Sequence, residues 1–168
     1  MTIMETLVSY GALSAERSGE PDRRLAVIAC MDARMDIYRI LDLDVGDAHV
    51  IRNAGGVVTD DVIRSLVISQ LYLETCYIVL VHHTKCGMYK FDEAAMRLDL
   101  ERSAGFRPEW STDGFDDVEE DVRQSIARIE ANPFVPHKAD IFGFVFDVDT
   151  RGLKFIARSR NHHAQASH

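Results

Sequence analysis

The stretch LAVIACMDAR, residues 25–34, decides the fold. Its first six residues, Leu25–Cys30, form a continuous apolar run, which predicts a strand buried on both faces. Strands of this kind belong to parallel sheets that carry helices on either side. Polar residues follow the run at once, and open α/β sheets bind their ligands at the carboxyl ends of the strands. The sequence therefore predicts both a parallel sheet and a place for a site.

Similar apolar runs and helical patterns alternate along the rest of the chain. The alternation predicts an α/β fold in which a mostly parallel central sheet is flanked by helices. The residues after about Ala157 are polar and are expected to form a flexible tail. The further strands are predicted at Ala48–Ile51, Tyr77–His82 and Ile141–Val148, and the helices at Ile37–Leu41, after an N-cap at Thr59, at Phe91–Arg102 and at Asp116–Ala131, with a loop over Ser103–Gly114.

Length and composition narrow the class of protein. The 168 residues suit a single domain spanning 1–168, and 46% of them are hydrophobic, as in ordinary globular proteins. A net charge of −8 argues against nucleic acids and anionic membranes as partners. The chain has no long apolar segment and no recognisable signal peptide, and its three cysteines form no CxxC pair. We expect a cytoplasmic protein without disulfides.

The first polar motif follows the strand Leu25–Cys30. Cys30, Asp32 and Arg34 alternate, so their side chains point the same way if the backbone stays extended. A thiol, a carboxylate and a guanidinium on one face form a polar cluster that a core would not tolerate unpaired. The alternative interpretation is a buried strand cysteine followed by a surface ion pair.

The second polar motif ends the strand that begins at Tyr77. His83 and Cys86 are three residues apart, so that a single turn presents both to one metal ion. The neighbouring His82 must point to the opposite side of the strand. The alternative interpretation is a pair of hydrogen-bonded histidines and a core thiol.

Taken together, the two motifs supply three ligands that suit zinc: Cys30, His83 and Cys86. Two cysteines and one histidine leave the fourth tetrahedral position open, as in catalytic zinc sites. Cys76 lies at the start of its strand, a strand's length from the site, and is expected to be a packing residue. The spacing excludes other kinds of site. A phosphatase loop needs an arginine six positions after its cysteine, where this chain has Asp36, and a thioredoxin motif needs CxxC, which is absent. The nucleotide-binding motif GxGxxG is absent as well.

At this point the sequence resembles the β-class carbonic anhydrases, and most closely the short bacterial subgroup that also includes carbonyl sulfide hydrolases. The resemblance covers most of the chain, from Leu25 to about Val148. It is carried by three motifs, Cys30-x-Asp32-x-Arg34, Arg52-Asn53-Ala54-Gly55-Gly56 and His83-Thr84-x-Cys86-Gly87.

The resemblance implies one Zn²⁺ per chain on Cys30, His83 and Cys86, with Asp32 and Arg34 as the catalytic dyad. The implied activity is the reversible hydration of CO₂ to bicarbonate by water that the metal activates. We expect Asp32 to accept a hydrogen bond from that water and Arg34 to hold Asp32 ionised. The family also implies homodimers or homotetramers.

The substrate pocket is the least defined part of this expectation. Gly55 and Gly56 would leave room near the metal, and Gly87 would let a backbone N–H approach the Cys86 sulfur. Plant-type members carry a substrate-orienting glutamine before the first cysteine, whereas here none precedes Gln70. The resemblance implies a small gas as substrate, either CO₂ or, alternatively, carbonyl sulfide, which would yield H₂S and CO₂. Tyr89, Phe91 and Trp110 are candidates for an apolar pocket wall.

Two further alternatives belong to other functional classes. A non-catalytic zinc-binding domain would dispense with the Asp32–Arg34 dyad, which is present here. A flavodoxin-like nucleotide-binding module is compatible with the fold and leaves the cysteines without a role. Ile68 and Tyr72 depart from the buried stripe of the Thr59 helix and suit a contact between subunits.

Overall fold

A computed structural model describes residues 19–160. In this part of the chain one sheet contains five strands, β1 (Leu25–Cys30), β2 (Ala48–Asn53), β3 (Tyr77–His83), β4 (Ile141–Phe146) and β5 (Leu153–Arg158). Their order is β2-β1-β3-β4-β5. Every neighbouring pair is parallel except β4–β5, which is antiparallel. The predicted α/β fold with a mostly parallel sheet is confirmed.

The helices lie between the strands as the sequence predicts. Thr59 caps the second of them, and its side chain accepts a hydrogen bond from the backbone N–H of Val62. Within residues 19–160, no helix is long and apolar enough to cross a membrane. The bounds are α1 (Ile37–Leu41), α2 (Asp60–Tyr72), α3 (Glu93–Ala104) and α4 (Val118–Ala131), with one turn of 3₁₀-helix at Ala54–Gly56.

Alternate residues of β1 enter two different cores, because successive side chains of a strand point to opposite faces. Ala26 and Ile28 pack with residues of α2 and α4, including Leu66 and Ile126. Val27 and Ala29 pack on the other face with residues that include Ile37 of α1. Both faces of the central strands are therefore covered, which explains why their sequences are apolar throughout.

The carboxyl-terminal part of the sheet differs from the sequence-based expectation. The run Ile141–Val148 ends as a strand at Phe146, and the chain returns antiparallel as β5. The expected flexible tail after Ala157 is wrong for the residues next to it. Arg158 belongs to β5, and Ser159 is buried and donates its backbone N–H to the carbonyl of Ile141. The residues after 160 lie outside the described part of the chain.

Helix α3 differs in a way that matters for the site. It begins two residues later than predicted, because Asp92 caps it, and it runs two residues into the predicted loop, ending at a left-handed Gly105. None of its residues is buried. This helix is therefore attached to the molecule by something other than a packed apolar face.

Candidate metal centre

Three predicted ligands meet at the carboxyl edge of the sheet. Cys30 ends β1 and His83 ends β3, and these strands are adjacent and parallel. Cys86 follows His83 in the next turn. The ligand atoms of the three residues lie within 4.8 Å of one another, and all three residues are buried. Cys30 Sγ and Cys86 Sγ are 3.8 Å apart.

His83 is oriented for a metal. Its Nδ1 lies 2.9 Å from the carbonyl oxygen of Thr84, which requires the ring proton on Nδ1. The lone pair of Nε2 is then free, and this buried atom has no hydrogen-bond partner. This unpartnered ring nitrogen belongs to the group that it forms with Cys30 and Cys86, and it is available to bind a metal ion.

The neighbouring His82 points the other way, as the strand geometry requires. Its Nε2 lies 2.7 Å from Oδ2 of Asp121 on α4, and its ring meets Phe115 edge to face. The imidazole is completely buried. His82 therefore belongs to the packing between β3 and α4 and not to the ligand set.

The two site thiols shift each other's pKa in opposite directions. The hydrogen bond from the Cys86 thiol is the largest cause that lowers the pKa of Cys30, and contacts with His83 and with the backbone of Asp32 and Gly55 lower it further. The pKa of Cys86 is raised by that same bond and by burial. The lowered pKa favours the thiolate form of Cys30, which is the form that binds a metal ion.

These donors fit zinc. Two sulfurs and one imidazole nitrogen are soft ligands, and three protein ligands leave a coordination position for water or substrate. Cys76 precedes β3 at the opposite end of the strand, where its backbone N–H donates to Arg24. It is half-buried and lies outside the group, as expected for a packing residue.

Asp32 and Arg34 are hydrogen-bonded to each other. Arg34 donates from Nε to Oδ1 of Asp32 at 2.8 Å and from Nη2 to Oδ2 at 2.6 Å. These bonds hold the pKa of Asp32 well below its usual range. Asp32 Oδ2 lies 3.8 Å from His83 Nε2, so an ionised acceptor stands next to the ligand group. Nη2 of Arg34 also reaches the carbonyl oxygen of Lys85, which ties the dyad to the ligand turn.

The ligand turn is fixed on its other side by β4 and the residues after it. The backbone N–H of Thr84 donates to Phe146, and the hydroxyl of Thr84 accepts from the backbone N–H of Val148. Lys85 adopts a left-handed backbone with φ of 54°, which is uncommon for a residue with a side chain. A strained conformation persists where its surroundings over-determine it, as the contacts on both sides of this turn do.

The three glycines named from the sequence occupy different places. A Cβ on Gly56 would lie 2.7 Å from the backbone nitrogen of Cys30, so glycine lets this turn pack on the end of β1. The backbone of Gly55 bonds to Cys30 and helps to lower its pKa. Gly87 faces open space, and the N–H that reaches Cys86 comes from Met88.

An apolar cavity of about 350 Å³ adjoins the packing around the thiols. Val57 and Met88 line the cavity and also pack in the cluster that contains Cys30 and Cys86. Among the predicted wall residues, Phe91 and Trp110 line this cavity and Tyr89 does not.

A polar clasp holds α3 and the following loop over this cavity. Arg97 donates to Glu93 and to the carbonyl oxygens of Pro108 and Trp110. Glu93 also accepts from the hydroxyl and the backbone N–H of Thr112. These bonds hold α3 against the loop that follows it.

Two residues beside the site have contacts that the sequence analysis did not predict. Arg52 of β2 donates to the carbonyl oxygens of Cys30 and Asp32, and Asp121 of α4 contacts His82 next to the ligand His83. Arg52 stands in a quoted motif, whereas Asp121 lies in an acidic run that is typical of a solvated helix start. Only the register of the strands and the packing of α4 disclose these contacts.

Comparison with known proteins agrees with this geometry. The family model for carbonic anhydrase matches residues 25–153. Over 136 residues, the chain is 55% identical to beta-carbonic anhydrase 1 of Mycobacterium tuberculosis, covering 81% of this chain and 83% of that protein. The chain belongs to the β-class carbonic anhydrase family. Among solved structures, the carbonic anhydrase of Streptococcus mutans superposes with a TM-score of 0.83 at 38% identity, covering 94% of this chain and 99% of that one.

The family extends to a different chemistry. The chain is 34% identical over 154 residues to a carbon disulfide hydrolase of Acidithiobacillus thiooxidans, covering 79% of this chain and 77% of that protein. Membership of the family therefore does not determine whether the substrate is CO₂ or a sulfur analogue, and the residues of the site must decide it.

Proposed function

We propose that the protein is a zinc-dependent carbonic anhydrase that interconverts CO₂ and bicarbonate. The observation that carries the proposal is the joint presence of the ligand group Cys30, His83 and Cys86 and of an ionised Asp32 whose Oδ2 lies 3.8 Å from His83 Nε2. The 55% identity to a protein named beta-carbonic anhydrase 1 supports it.

Each side chain has a distinct part in this proposal. Cys30, His83 and Cys86 hold one Zn²⁺ per chain, which supplies Lewis acidity toward water and substrate when bound. Asp32 accepts a hydrogen bond from water at Oδ2. Arg34 keeps Asp32 ionised and occupies both carboxylate oxygens, which directs the carboxylate away from the ligand position.

The substrate pocket is proposed to lie where the turn of Gly55 and Gly56 meets the ligand turn at Gly87. Val57 and Met88 supply an apolar wall there and connect this region to the cavity under Trp110. An apolar surrounding suits a neutral, linear gas, because such a molecule loses little hydration on entering it.

The second candidate function is hydrolysis of a sulfur analogue, carbonyl sulfide, which yields H₂S and CO₂. The identity to a carbon disulfide hydrolase and the apolar cavity favour it as the alternative. The higher identity to a carbonic anhydrase places CO₂ first.

One experiment separates the two candidates. A single zinc-loaded preparation is assayed for CO₂ hydration by stopped flow and for H₂S release from carbonyl sulfide and carbon disulfide. The proposal expects rapid hydration and H₂S release at least about 100-fold less efficient in kcat/KM, a gap of about 2.7 kcal/mol between transition states. Efficient H₂S release with CO₂ hydration no faster than buffer would select the alternative.

The assembly is proposed to be a homodimer or a homotetramer. Ile68, Leu71 and Tyr72 leave 39%, 57% and 74% of their surface exposed along α2, which is an apolar strip that suits a subunit contact. Leu71 lies outside the buried face of α2, which includes Val62, Ile63 and Leu66. Light scattering of the zinc-loaded protein decides between monomer, dimer and tetramer.

The free thiols of Cys30, Cys76 and Cys86 support the proposed cytoplasmic location.

A further inference from the structure

Arg52 contacts the backbone of both a ligand and the dyad. Its Nε donates to the carbonyl oxygen of Cys30 at 2.9 Å, and its Nη2 donates to the carbonyl oxygen of Asp32 at 2.8 Å. The register places Arg52 opposite Ala29, so that its side chain extends forward over the end of β1. One planar guanidinium thus bridges two carbonyls that are two residues apart.

Backbone hydrogen bonds hold the same short segment, and one of them is donated by Met35 N–H to the carbonyl oxygen of Asp32, the acceptor that Arg52 shares. Met31 donates its backbone N–H to the carbonyl oxygen of Asn53, but 65% of the Met31 residue is exposed. Past Cys30 the chain leaves the sheet, and no apolar packing of Met31 fixes its path. A rigid fork of two donors is well suited to keep such a segment in one conformation, since its geometry leaves little freedom once both bonds form.

Asp32 is consequently held at two points by two different arginines. Arg34 binds its carboxylate and is itself bonded to Lys85 in the ligand turn. Arg52 binds its carbonyl oxygen and that of Cys30. The first arginine sets the direction of the carboxylate, and the second sets the distance of its backbone from the ligand Cys30.

We propose that Arg52 is a positioning residue that fixes the separation between the Cys30 sulfur and the Asp32 carboxylate. Its catalytic consequence rests on the proposed function, whereas its effect on the ligand group concerns this chain's own residues and metal binding. A purely structural role is the competing interpretation. It would lower the stability of the fold and leave the properties of the assembled metal site unchanged.

The test compares Arg52→Met with Arg52→Lys and with a control, Arg64→Met. Arg64 is an exposed guanidinium on α2 whose contact is Asp61, at 2.8 Å, so that the control loses the same group from a helix that carries none of the three candidate ligands. Each variant is measured for zinc content, for the absorption spectrum of its cobalt(II) form, and for kcat and KM of CO₂ hydration.

For Arg52→Met we expect full zinc content, an altered cobalt(II) spectrum and a kcat lowered about 10–100-fold with KM little changed. Arg52→Lys keeps the charge and can bridge only one carbonyl well, so it should fall between Arg52→Met and the parent. Arg64→Met should match the parent in all three measurements.

The proposal is overturned if folded Arg52→Met matches Arg64→Met in both spectrum and kcat. If Arg52→Met does not fold, Arg52→Lys decides, and a parental spectrum and kcat in that variant overturn the proposal. A parent protein that fails to hydrate CO₂ contradicts the proposed function instead. The cobalt(II) spectra then still test the positioning role by themselves.

Discussion

Asp32 accepts hydrogen bonds from Arg34 at both carboxylate oxygens, at 2.8 and 2.6 Å. The two residues are separated by one alanine, so the pair forms within the turn that follows β1. Because Arg34 also reaches the carbonyl of Lys85, the pair spans the gap between the two ligand segments. Arg34 thereby keeps the carboxylate of Asp32 ionised and fixes its orientation. The proposed role of Asp32, as the acceptor of a hydrogen bond from water at the metal, requires both.

Asp32→Asn should retain zinc and lose most of the CO₂ hydration rate, by about 10²–10⁴-fold, because a neutral amide loses both the ion pair with Arg34 and the negative charge that favours the hydrogen bond from water. The low pKa of Asp32 has a further consequence with a definite sign. Its carboxylate stays ionised at all pH values above its ordinary range, so no loss of rate near neutral pH should arise from its protonation. The measurement is kcat against pH with zinc content in parallel.

Asp61→Asn is the matched control, since Asp61 pairs with Arg64 at an exposed position on α2. It should keep the parental rate. Equal rates in the Asp32 and Asp61 variants would remove Asp32 from the account.

Gly56→Ala should reduce stability and zinc affinity together. A Cβ at this position would lie 2.7 Å from the backbone nitrogen of Cys30, so the end of β1 must move. Gly105→Ala is the control, because Gly105 has a similar left-handed φ and no atom within 4 Å of the added Cβ. Urea unfolding should show a cost for Gly56→Ala about 1–3 kcal/mol larger than for Gly105→Ala. Similar costs would mean that backbone strain alone matters.

Asp121→Ala should lower the free energy of unfolding by about 0.5–3 kcal/mol, because it removes the carboxylate that lies 2.7 Å from Nε2 of the completely buried His82 imidazole. Glu120→Ala removes a carboxylate from the neighbouring position of α4, where the side chain is half exposed, and should change stability by less than about 0.5 kcal/mol. Chemical denaturation of both variants provides the measurement. A comparable effect at both positions would show that the His82 contact contributes nothing specific.

The pKa of Glu93 is lowered to about 2, first by the hydroxyl of Thr112 and then by Arg97. A carboxyl group whose pKa is lower in the folded state than in the unfolded state stabilises the folded state at pH values above its ordinary pKa of 4.5. This contribution is lost as the pH falls toward about 2. The fluorescence of Trp110, the only tryptophan, should therefore stay constant between about pH 5 and pH 3 in the parent.

In Glu93→Gln the clasp is weakened at every pH, and the same fluorescence should differ from the parent already at pH 7. Glu101→Gln is the control, since Glu101 pairs with Arg107 on the exposed side of α3. A carbon-13 NMR titration that gives Glu93 a midpoint near 4.5 would contradict the assignment.

The sequence was sufficient for the central sheet and for the ligand group. Leu25–Cys30 and the run from Tyr77 to Val81 are apolar throughout, and such strands predict a parallel sheet. Sites in parallel sheets lie at the carboxyl ends of the strands, so the same pattern also predicted where the polar residues would meet. The strand Leu153–Arg158 was missed because it is an exposed edge strand with charged residues at its second and last positions, so it carries no continuous apolar signal.

The supporting contacts depend on tertiary register and could not be deduced from spacing. Arg52 reaches Cys30 and Asp32 only because β2 pairs with β1 in one particular register. Asp121 meets His82 because α4 packs against β3, 39 residues away along the chain. An acidic residue in a helical start has many surface equivalents, so its pattern gave no sign of a buried partner.

The most direct test of the central claim follows zinc and CO₂ hydration in the same sample. The purified protein is assayed by stopped flow as isolated, after removal of metal by a chelator, and after addition of one equivalent of zinc, alongside His83→Ala and Cys76→Ala. The account predicts about one zinc per chain, loss of activity on chelation, and recovery on reloading in the parent and in Cys76→Ala but not in His83→Ala. Hydration that persists after complete removal of zinc, or that His83→Ala retains, would contradict it.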